Sequence, residues 1–209
     1  GKGVVRAWFF QQLATSGTAR DWTAFDRTLN ALRARGVKAI ATLVDQWGNC
    51  GSLDPTGAFK DEAWYTGDYT EVDPDGIVSY RDWVDEIVTC YKDDPAILAW
   101  EPVNEPEVRP FFEGGCSVDA GAKLQAFMTD VTGLIKSIDT NHLVSSGVIG
   151  SGQCGAQFTD YASLHAIPSI DLCSFHDYGE SLVPMPGDEF NGLQFRLDQC
   201  ATLGKPLIV

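Results

Sequence analysis

Six short apolar segments alternate along the chain with longer segments of helical periodicity, and this alternation constrains the fold more than any other feature. The apolar segments are mostly continuous, as expected for parallel strands that other structure covers on both faces. Repeated strand–helix units predict an α/β fold with a parallel sheet and right-handed crossovers. The predicted strands are 4–10, 37–44, 97–103, 143–149, 170–175 and 206–209.

Helical periodicity fills the intervals between these strands. In the first interval the apolar residues from Trp22 to Leu32 are spaced by three, four and three, and Gly36 follows as a stop signal. We interpret such stripes as packing faces, so Trp22 and Trp83 are expected in the core. Further helices are predicted at 77–91 behind an N-cap at Asp75, at 124–138, at 158–166 as a short element, and at 190–200 before Gly204.

The connections that follow the strands are longer than those that precede them. The long connections cover 45–74, 105–116, 150–159 and 177–187. Elaborated connections at the carboxyl ends of parallel strands mark the functional edge of an open doubly wound sheet and of a closed eight-stranded barrel alike. The pattern therefore predicts where the site lies and leaves both architectures open.

The connection at 150–155 reads Gly-Ser-Gly-Gln-Cys-Gly, which has the G-x-G-x-x-G spacing of dinucleotide-binding turns. Such a turn needs a helix that opens on its third glycine and an acidic residue about 20 positions further on. Here Gly155 leads into Ala-Gln-Phe-Thr-Asp, and the unit is the fourth along the chain. We interpret the segment as a flexible loop, and a nucleotide-dependent oxidoreductase is the least favoured function.

The chain is strongly acidic, with a formal net charge of -14 and a pI of about 4.4. This charge argues against nucleic acid or an anionic membrane as partner, and no apolar run approaches the roughly 20 residues that cross a bilayer. The 6 cysteines occur singly, without the spacing of zinc or redox motifs. Their even number, with Cys50, Cys116 and Cys154 in predicted loops, indicates an exported protein with disulfides, whereas Cys173 is expected as a buried thiol.

Polar and aromatic side chains cluster at the ends of the predicted strands. Carboxylates, an amide and indoles in one place are typical of sugar chemistry. The sequence has no glycine-rich phosphate loop with lysine, no G-x-S-x-G elbow and no metal-ligand spacing, so neither a cofactor nor a metal is expected. The strand-end residues are Arg6, Trp8, Asp45, Gln46, Trp47, Asn104, Glu105, His176 and Tyr178.

Glu105 is the natural proton donor of this set, because partial burial at a strand end raises the pKa of a carboxyl group. Glycoside hydrolysis needs two carboxyl groups, about 5–5.5 Å apart for retention or about 6.5–9.5 Å apart for inversion. Glu101 precedes Glu105 by four residues, which is about 13 Å along an extended strand. Glu101 is therefore not the partner, and we predict that it lies inside the barrel against a cation such as Arg6.

The segment 91–106, Tyr-Lys-Asp-Asp-Pro-Ala-Ile-Leu-Ala-Trp-Glu-Pro-Val-Asn-Glu-Pro, resembles the end of the fourth barrel strand in glycoside hydrolase family 5, especially its β-mannanases. Four further segments resemble that family in barrel order: 4–8 its second strand, 43–47 its third, 175–178 its sixth and 204–209 its seventh. The resemblance implies a (β/α)8 TIM barrel, of which residues 1–209 form an incomplete single catalytic domain with about strands 2 to 7.

The same resemblance implies a retaining, endo-acting glycosidase that cleaves a β-1,4-linked polysaccharide by double displacement. Glu105 is then the general acid/base, and the nucleophile lies beyond the end of this chain. The supporting residues and their implied roles are Asn104 on the sugar 2-hydroxyl, His176 in the same subsite, Arg6 and Tyr178 on the nucleophile, and Trp8 and Trp47 as sugar platforms or barrel wall.

Mannan is favoured as the substrate, with glucan or cellulose next. Pro102, Val103 and Glu107 depart from the usual mannanase sequence, which commonly has other apolar residues at the first two positions and arginine at the third. The alternative from another class is a non-catalytic carbohydrate-binding relative that keeps an aromatic cleft and lacks the second carboxylate. In either case we expect a secreted monomer whose partner is a polysaccharide or oligosaccharide.

Overall fold

The structure, a computed structural model, describes residues 3–48, 59–72, 77–177 and 189–209. Six parallel strands organise it, and each lies within one of the six predicted segments and is shorter than it. The strands are β1 (Val4–Trp8), β2 (Lys38–Thr42), β3 (Ile97–Glu101), β4 (Leu143–Val144), β5 (Cys173–Ser174) and β6 (Leu207–Ile208).

The strands are neighbours in the order in which they occur along the chain. Strands β1 to β4 form one parallel sheet, and β5 pairs with β6 in parallel. A parallel bridge between Ser145 and Leu172 joins the two groups. An open doubly wound sheet reverses its strand order at a switch point, and no reversal occurs across the six strands described. The arrangement is that of part of a (β/α)8 barrel, which confirms the predicted fold class.

Helices separate the strands as predicted. The apolar periodicity extended over enough residues to predict four of the helices and the short α5. The prediction missed α2, which is a single turn, and the small hairpin of Thr15–Ser16 with Ala19–Arg20. In the described ranges no helix combines the length and apolarity needed to span a membrane. The helices are α1 (Thr23–Arg33), α2 (Glu62–Thr66), α3 (Tyr80–Tyr91), α4 (Ala120–Ile138), α5 (Phe158–His165) and α6 (Leu193–Leu203).

The N-cap of α3 differs from the prediction. Asp75 lies outside the described residues, and the helix begins at Tyr80 with Ser79 as its N-cap. The Ser79 hydroxyl accepts a hydrogen bond from the Asp82 backbone N–H at 3.0 Å, which satisfies one of the free donors of the first turn. The apolar stripe continues upstream of the helix to Ile77. Because the prediction took Ile77 as part of the helix, it put the N-cap four residues too early.

The core lies between the strands and the helices that cover them. Trp83 of α3 is fully buried and stacks on Trp22 at 5.6 Å between ring centroids, so the predicted packing role of this pair is confirmed. Trp100 of β3 and Phe127 of α4 are also buried. Continuous apolar strands covered by amphipathic helices thus hold the strand ends in fixed relative positions.

One disulfide of the described residues joins two loops, and another joins a helix to a strand. Cys116 is bonded to Cys154, and Cys173 is bonded to Cys200. The prediction of a buried thiol at Cys173 is therefore wrong, because α6 packs beside β5 and brings Cys200 to it from 27 residues away. Cys90 is an exposed free thiol, and Cys50 lies outside the described residues.

Candidate active site

Glu105 sits at the carboxyl end of β3 in a strained backbone conformation. Its φ of 55° lies in the left-handed region, which non-glycine residues occupy at a cost of about 1–3 kcal/mol when the surroundings enforce it. Two contacts enforce it here: the Glu105 N–H donates to the Gly147 carbonyl at 2.8 Å, and the Glu105 carbonyl accepts from Gln153 Nε2 at 3.0 Å. Backbone strain of this kind is concentrated at functional sites.

Residues from two other strand ends hold the Glu105 carboxyl group. Trp47, beyond β2, donates its indole N–H to Oε2 at 2.8 Å. His176, beyond β5, places Nδ1 2.8 Å from Oε1. Glu105 as a residue is only 5% exposed, and each of its carboxyl oxygens has a defined neighbour in the protein. A buried carboxyl with a histidine on one oxygen is suited to giving and taking a proton.

Asn104 lies beside Glu105 and is oriented by Asp45. Asn104 Nδ2 donates to Asp45 Oδ1 at 2.6 Å, and the two residues form a parallel bridge that extends the pairing of β2 and β3. Within the described ranges the buried Asn104 Oδ1 has no hydrogen-bond partner. Burial raises the pKa of Asp45, the charge of Glu105 adds to this rise, and the hydrogen bonds from Asn104 and the Trp47 backbone oppose it. The free amide oxygen is thus an acceptor for a hydroxyl group.

Glu101 occupies the barrel interior, as predicted. It is 2% exposed, and its Oε1 accepts from Arg6 Nε at 2.7 Å and from the Thr42 hydroxyl at 2.8 Å. Ser145 donates to the other oxygen at 3.3 Å. The Arg6–Glu101 pair confirms the prediction of a structural role for Glu101. The role of Arg6 towards a nucleophile stays a prediction, because the partner of its guanidinium here is Glu101.

Arg6 and His176 line one cavity of about 200 Å³, together with Glu101, Ser145 and Ser174. Trp8 is 41% exposed, and its ring lies 5.2 Å from the Arg6 guanidinium carbon.

The structure therefore brings together most of the predicted site. Glu105, Asn104, Trp47 and His176 meet at the carboxyl ends of β2, β3 and β5. Arg6 lies in the middle of β1 and lines the same cavity as His176, and Trp8 is the last residue of β1. Tyr178 lies outside the described residues. Among the residues that are described, no group of three or more His, Cys, Asp or Glu is arranged to hold a metal ion.

An aromatic cluster beside Glu105 was not predicted. Trp47, Phe59 and Phe112 have ring centroids 5.4–6.4 Å apart, and Phe112 is 40% exposed. The signal in the sequence was the exposed Phe-Phe pair at 111–112, in a connection that follows the motif of Glu105. The cluster gives the site an apolar wall of the kind that packs against sugar rings.

Glu107, which departs from the usual mannanase sequence, is fully buried. Its Oε2 lies 2.9 Å from Arg109 Nε. Burial raises the pKa of Glu107, and the positive charge of Arg109 opposes the rise. The Glu107 carboxylate is thus a buried partner of the half-buried Arg109.

The fold and site define a class: an α/β-barrel protein with a buried carboxylic acid, an amide and aromatic rings at the carboxyl ends of its strands. Residues 77–181, half of the chain, match the model of the "GH family 5 beta-mannosidase-like" family. The chain belongs to glycoside hydrolase family 5.

Proteins of similar sequence agree with this family. The probable mannan endo-1,4-beta-mannosidase C of Aspergillus terreus is 32% identical over 184 residues, which cover 81% of this chain and 44% of that protein. The mannan endo-1,4-beta-mannosidase A of Hypocrea jecorina is 29% identical over 243 aligned positions, covering 100% of this chain and 52% of the relative. The chain thus spans about half the length of these two relatives.

Solved structures agree on the fold. The endo-1,4-beta-mannanase of Rhizomucor miehei superposes with a TM-score of 0.69 at 23% identity, covering 98% of this chain and 67% of that structure. A family 5 mannosidase from the same organism, in complex with mannosyl-fructose, gives a TM-score of 0.60 at 18% identity, with 98% and 58% covered.

Proposed function

We propose that this chain is part of a retaining, endo-acting β-1,4-mannanase in which Glu105 is the general acid/base. The observation that carries the proposal is the carboxyl group of Glu105, buried at a strand end and held between the Trp47 indole and the His176 imidazole. The family, and relatives named as mannan endo-1,4-beta-mannosidases, support the choice of reaction.

In the first half-reaction Glu105 gives its proton to the glycosidic oxygen while a second carboxylate attacks the anomeric carbon. The C–O bond to the leaving sugar breaks, and a covalent glycosyl-enzyme forms. In the second half-reaction the Glu105 carboxylate takes a proton from water, which attacks the same carbon and releases the sugar with retained configuration. We place the second carboxylate after the strand that contains Leu207–Ile208, where the family resemblance implies it.

Supporting roles follow from the geometry around Glu105. The free Asn104 Oδ1 accepts a hydrogen bond from the 2-hydroxyl of the sugar at the cleavage point, and this contact strengthens as positive charge develops on the ring. Trp47 and His176 fix the carboxyl group in place. Arg6 and Tyr178 remain the proposed partners of the nucleophile, and Trp8, which is 41% exposed, remains a proposed sugar platform or part of the barrel wall.

Mannan is the proposed substrate, with glucan as the next choice, and the partner is a polysaccharide or oligosaccharide. The complex of the Rhizomucor miehei mannosidase with mannosyl-fructose supports a sugar ligand in this fold. Residues 1–209 are proposed to belong to one catalytic domain. Export and a monomeric state complete the proposal, and the two disulfides support export because such bonds persist in oxidising compartments.

The test uses the longest natural polypeptide that contains this sequence. Purified protein is assayed on mannan, cellulose and mixed-linkage glucan by release of reducing ends, and proton NMR identifies the anomer formed first. The proposal predicts internal cleavage of mannan with the β-anomer first, and loss of several orders of magnitude in Glu105→Ala. Glu113→Ala removes an exposed carboxylate from the same connection and is the matched control.

Sugar binding without hydrolysis by the wild type would instead support the carbohydrate-binding relative. Near-normal turnover of mannan by Glu105→Ala would remove Glu105 from the mechanism.

A further inference from the structure

The glycines of the segment 150–155 have a role in packing, which is different from the phosphate binding of a dinucleotide-binding turn. All three of its glycines have positive φ, at 81°, 111° and 96°. A Cβ on Gly150 would lie 2.5 Å from the Phe175 ring, and one on Gly155 would lie 2.9 Å from the Ala120 carbonyl oxygen. The glycines therefore let this loop pack tightly between the connections that follow β3 and β5.

Gln153 of this loop is only 8% exposed, and its side chain contacts the backbone of Glu105. Its Nε2 donates to the Glu105 carbonyl at 3.0 Å, and its Oε1 accepts from the Ile149 N–H at 3.2 Å. The Ile149 carbonyl in turn accepts from the His176 N–H at 2.9 Å. One amide thus connects the backbone of Glu105 with the backbone of His176.

The imidazole of His176 closes this connection into a ring, because its Nδ1 lies 2.8 Å from Glu105 Oε1. Starting at Glu105, the ring passes through Gln153, Ile149 and His176 and returns to the Glu105 carboxyl group. Glu105 and His176, the two partners of this contact, are therefore both connected to the Gln153 side-chain amide, Glu105 directly and His176 through Ile149.

A disulfide anchors the loop at the next residue. Cys154 is bonded to Cys116, its carbonyl accepts from the Val108 N–H at 3.0 Å, and its own N–H lies 3.4 Å from Glu107 Oε2. These contacts fix the backbone beside Gln153 to the connection that carries Glu105. The left-handed backbone of Glu105 needs such support, because an unsupported residue would relax from that conformation.

We infer that Gln153 is a positioning residue for the proposed acid/base, acting through the backbone of Glu105 and the placement of His176. The inference rests on the proposed function. Gln153 does not touch the reacting atoms in this assignment; it sets the direction from which Glu105 delivers its proton. A small displacement of a catalytic group lowers rate without an equal change in ground-state binding.

The test compares Gln153→Met with Gln157→Met in the longest natural polypeptide that contains the chain. Methionine has the length of glutamine without its amide. Gln157 lies at the end of the same loop, and its Nε2 donates to the loop carbonyl of Gly152 at 2.7 Å, so its replacement loosens the loop without removing a contact to Glu105. Gln153→Glu is a second variant that keeps the acceptor for Ile149 and loses the donor for Glu105.

Each variant is assayed on mannan and on a dinitrophenyl β-mannobioside, whose leaving group needs no protonation. We expect kcat/KM on mannan to fall about 10- to 100-fold in Gln153→Met, with a much smaller loss on the dinitrophenyl substrate and a shifted pH profile on mannan. Gln157→Met is expected to keep the wild-type ratio between the two substrates. Melting temperatures report whether each variant is folded.

Equal losses on both substrates in Gln153→Met and Gln153→Glu, or wild-type activity and pH profile in both, would overturn the inference. These outcomes are separate from failure of the proposed function. That failure would appear as no hydrolysis by the wild type or as near-normal turnover by Glu105→Ala.

Discussion

His165 gives a prediction whose size follows from the structure. The residue is fully buried in α5. Its Nδ1 lies 2.7 Å from the Tyr161 carbonyl and its Nε2 2.7 Å from the Ser146 hydroxyl. A carbonyl only accepts, so Nδ1 carries the proton and Nε2 accepts from Ser146. Burial lowers the pKa of His165 from 6.5 to about 4, helped by the charges of Lys205 and Arg196, while the bond to Tyr161 opposes the shift.

The sign of the effect on stability follows from proton binding. Between about pH 6.5 and pH 4 the unfolded chain binds a proton at position 165 and the folded chain does not, so acid favours unfolding. Each pKa unit corresponds to about 1.4 kcal/mol, which gives a loss of about 2 kcal/mol by pH 5 and about 3 kcal/mol by pH 4. The contribution is fully present above the unfolded pKa.

The assay is urea unfolding followed by tryptophan fluorescence at about pH 7, 6 and 5, with linear extrapolation to water. Wild type is compared with His165→Asn, whose amide keeps a donor for the Tyr161 carbonyl and does not titrate. Carboxyl groups titrate in both proteins and cancel in the comparison. The free energy of unfolding should fall by about 2 kcal/mol more in the wild type between pH 7 and pH 5. Parallel pH dependences in the two proteins would refute the reasoning.

Two further predictions concern the supports of the site. Gly147→Ala should destabilise the protein by more than about 2 kcal/mol, since its φ is 72° and a Cβ would lie 2.0 Å from the Val103 carbonyl oxygen. The control Gly133→Ala, which has open space at an exposed face of α4, should stabilise the protein by about 0.5–1 kcal/mol. Urea unfolding measures both free energies, and the reverse order of stabilities would contradict the prediction. Reductant should lower the melting temperature measured by calorimetry, because a disulfide typically contributes about 2–4 kcal/mol; an unchanged transition would mean that neither Cys116–Cys154 nor Cys173–Cys200 bears on stability.

The sequence predicted those parts of the fold that depend on local pattern. Six continuous apolar runs and the stripes between them were enough for the strands and the longer helices. The apolar pattern alone left the barrel and the open sheet as alternatives, and the family resemblance implied the barrel. The observed strand order confirms it, and this order depends on pairings between distant segments such as Ser145 with Leu172. The disulfide partner of Cys173 depends in the same way on the packing of α6, and the spacing of the cysteines along the chain does not predict the Cys173–Cys200 pairing.

The candidate site was predictable where its residues follow strands directly. Glu105, Asn104, Trp47 and His176 were found because parallel strand ends converge on one edge. The support at Gln153 was not found, because it lies in a loop whose glycine spacing suggested another purpose and whose contact with Glu105 crosses 48 residues.

The sequence also could not decide between two roles for Trp47. A ring that stacks on a sugar and a ring that donates its N–H to a carboxylate look the same in a sequence, and the bond to Glu105 Oε2 favours the second role.

The most direct measurement of the central claim is azide rescue of Glu105→Ala in the longest natural polypeptide that contains the chain. A dinitrophenyl β-mannobioside forms the glycosyl-enzyme without acid assistance, and azide then attacks without needing a base. If Glu105 is the acid/base of a retaining enzyme, azide should restore turnover of this variant and NMR should identify a β-mannobiosyl azide. A variant that azide does not accelerate, or an azide product of inverted configuration, would contradict the account.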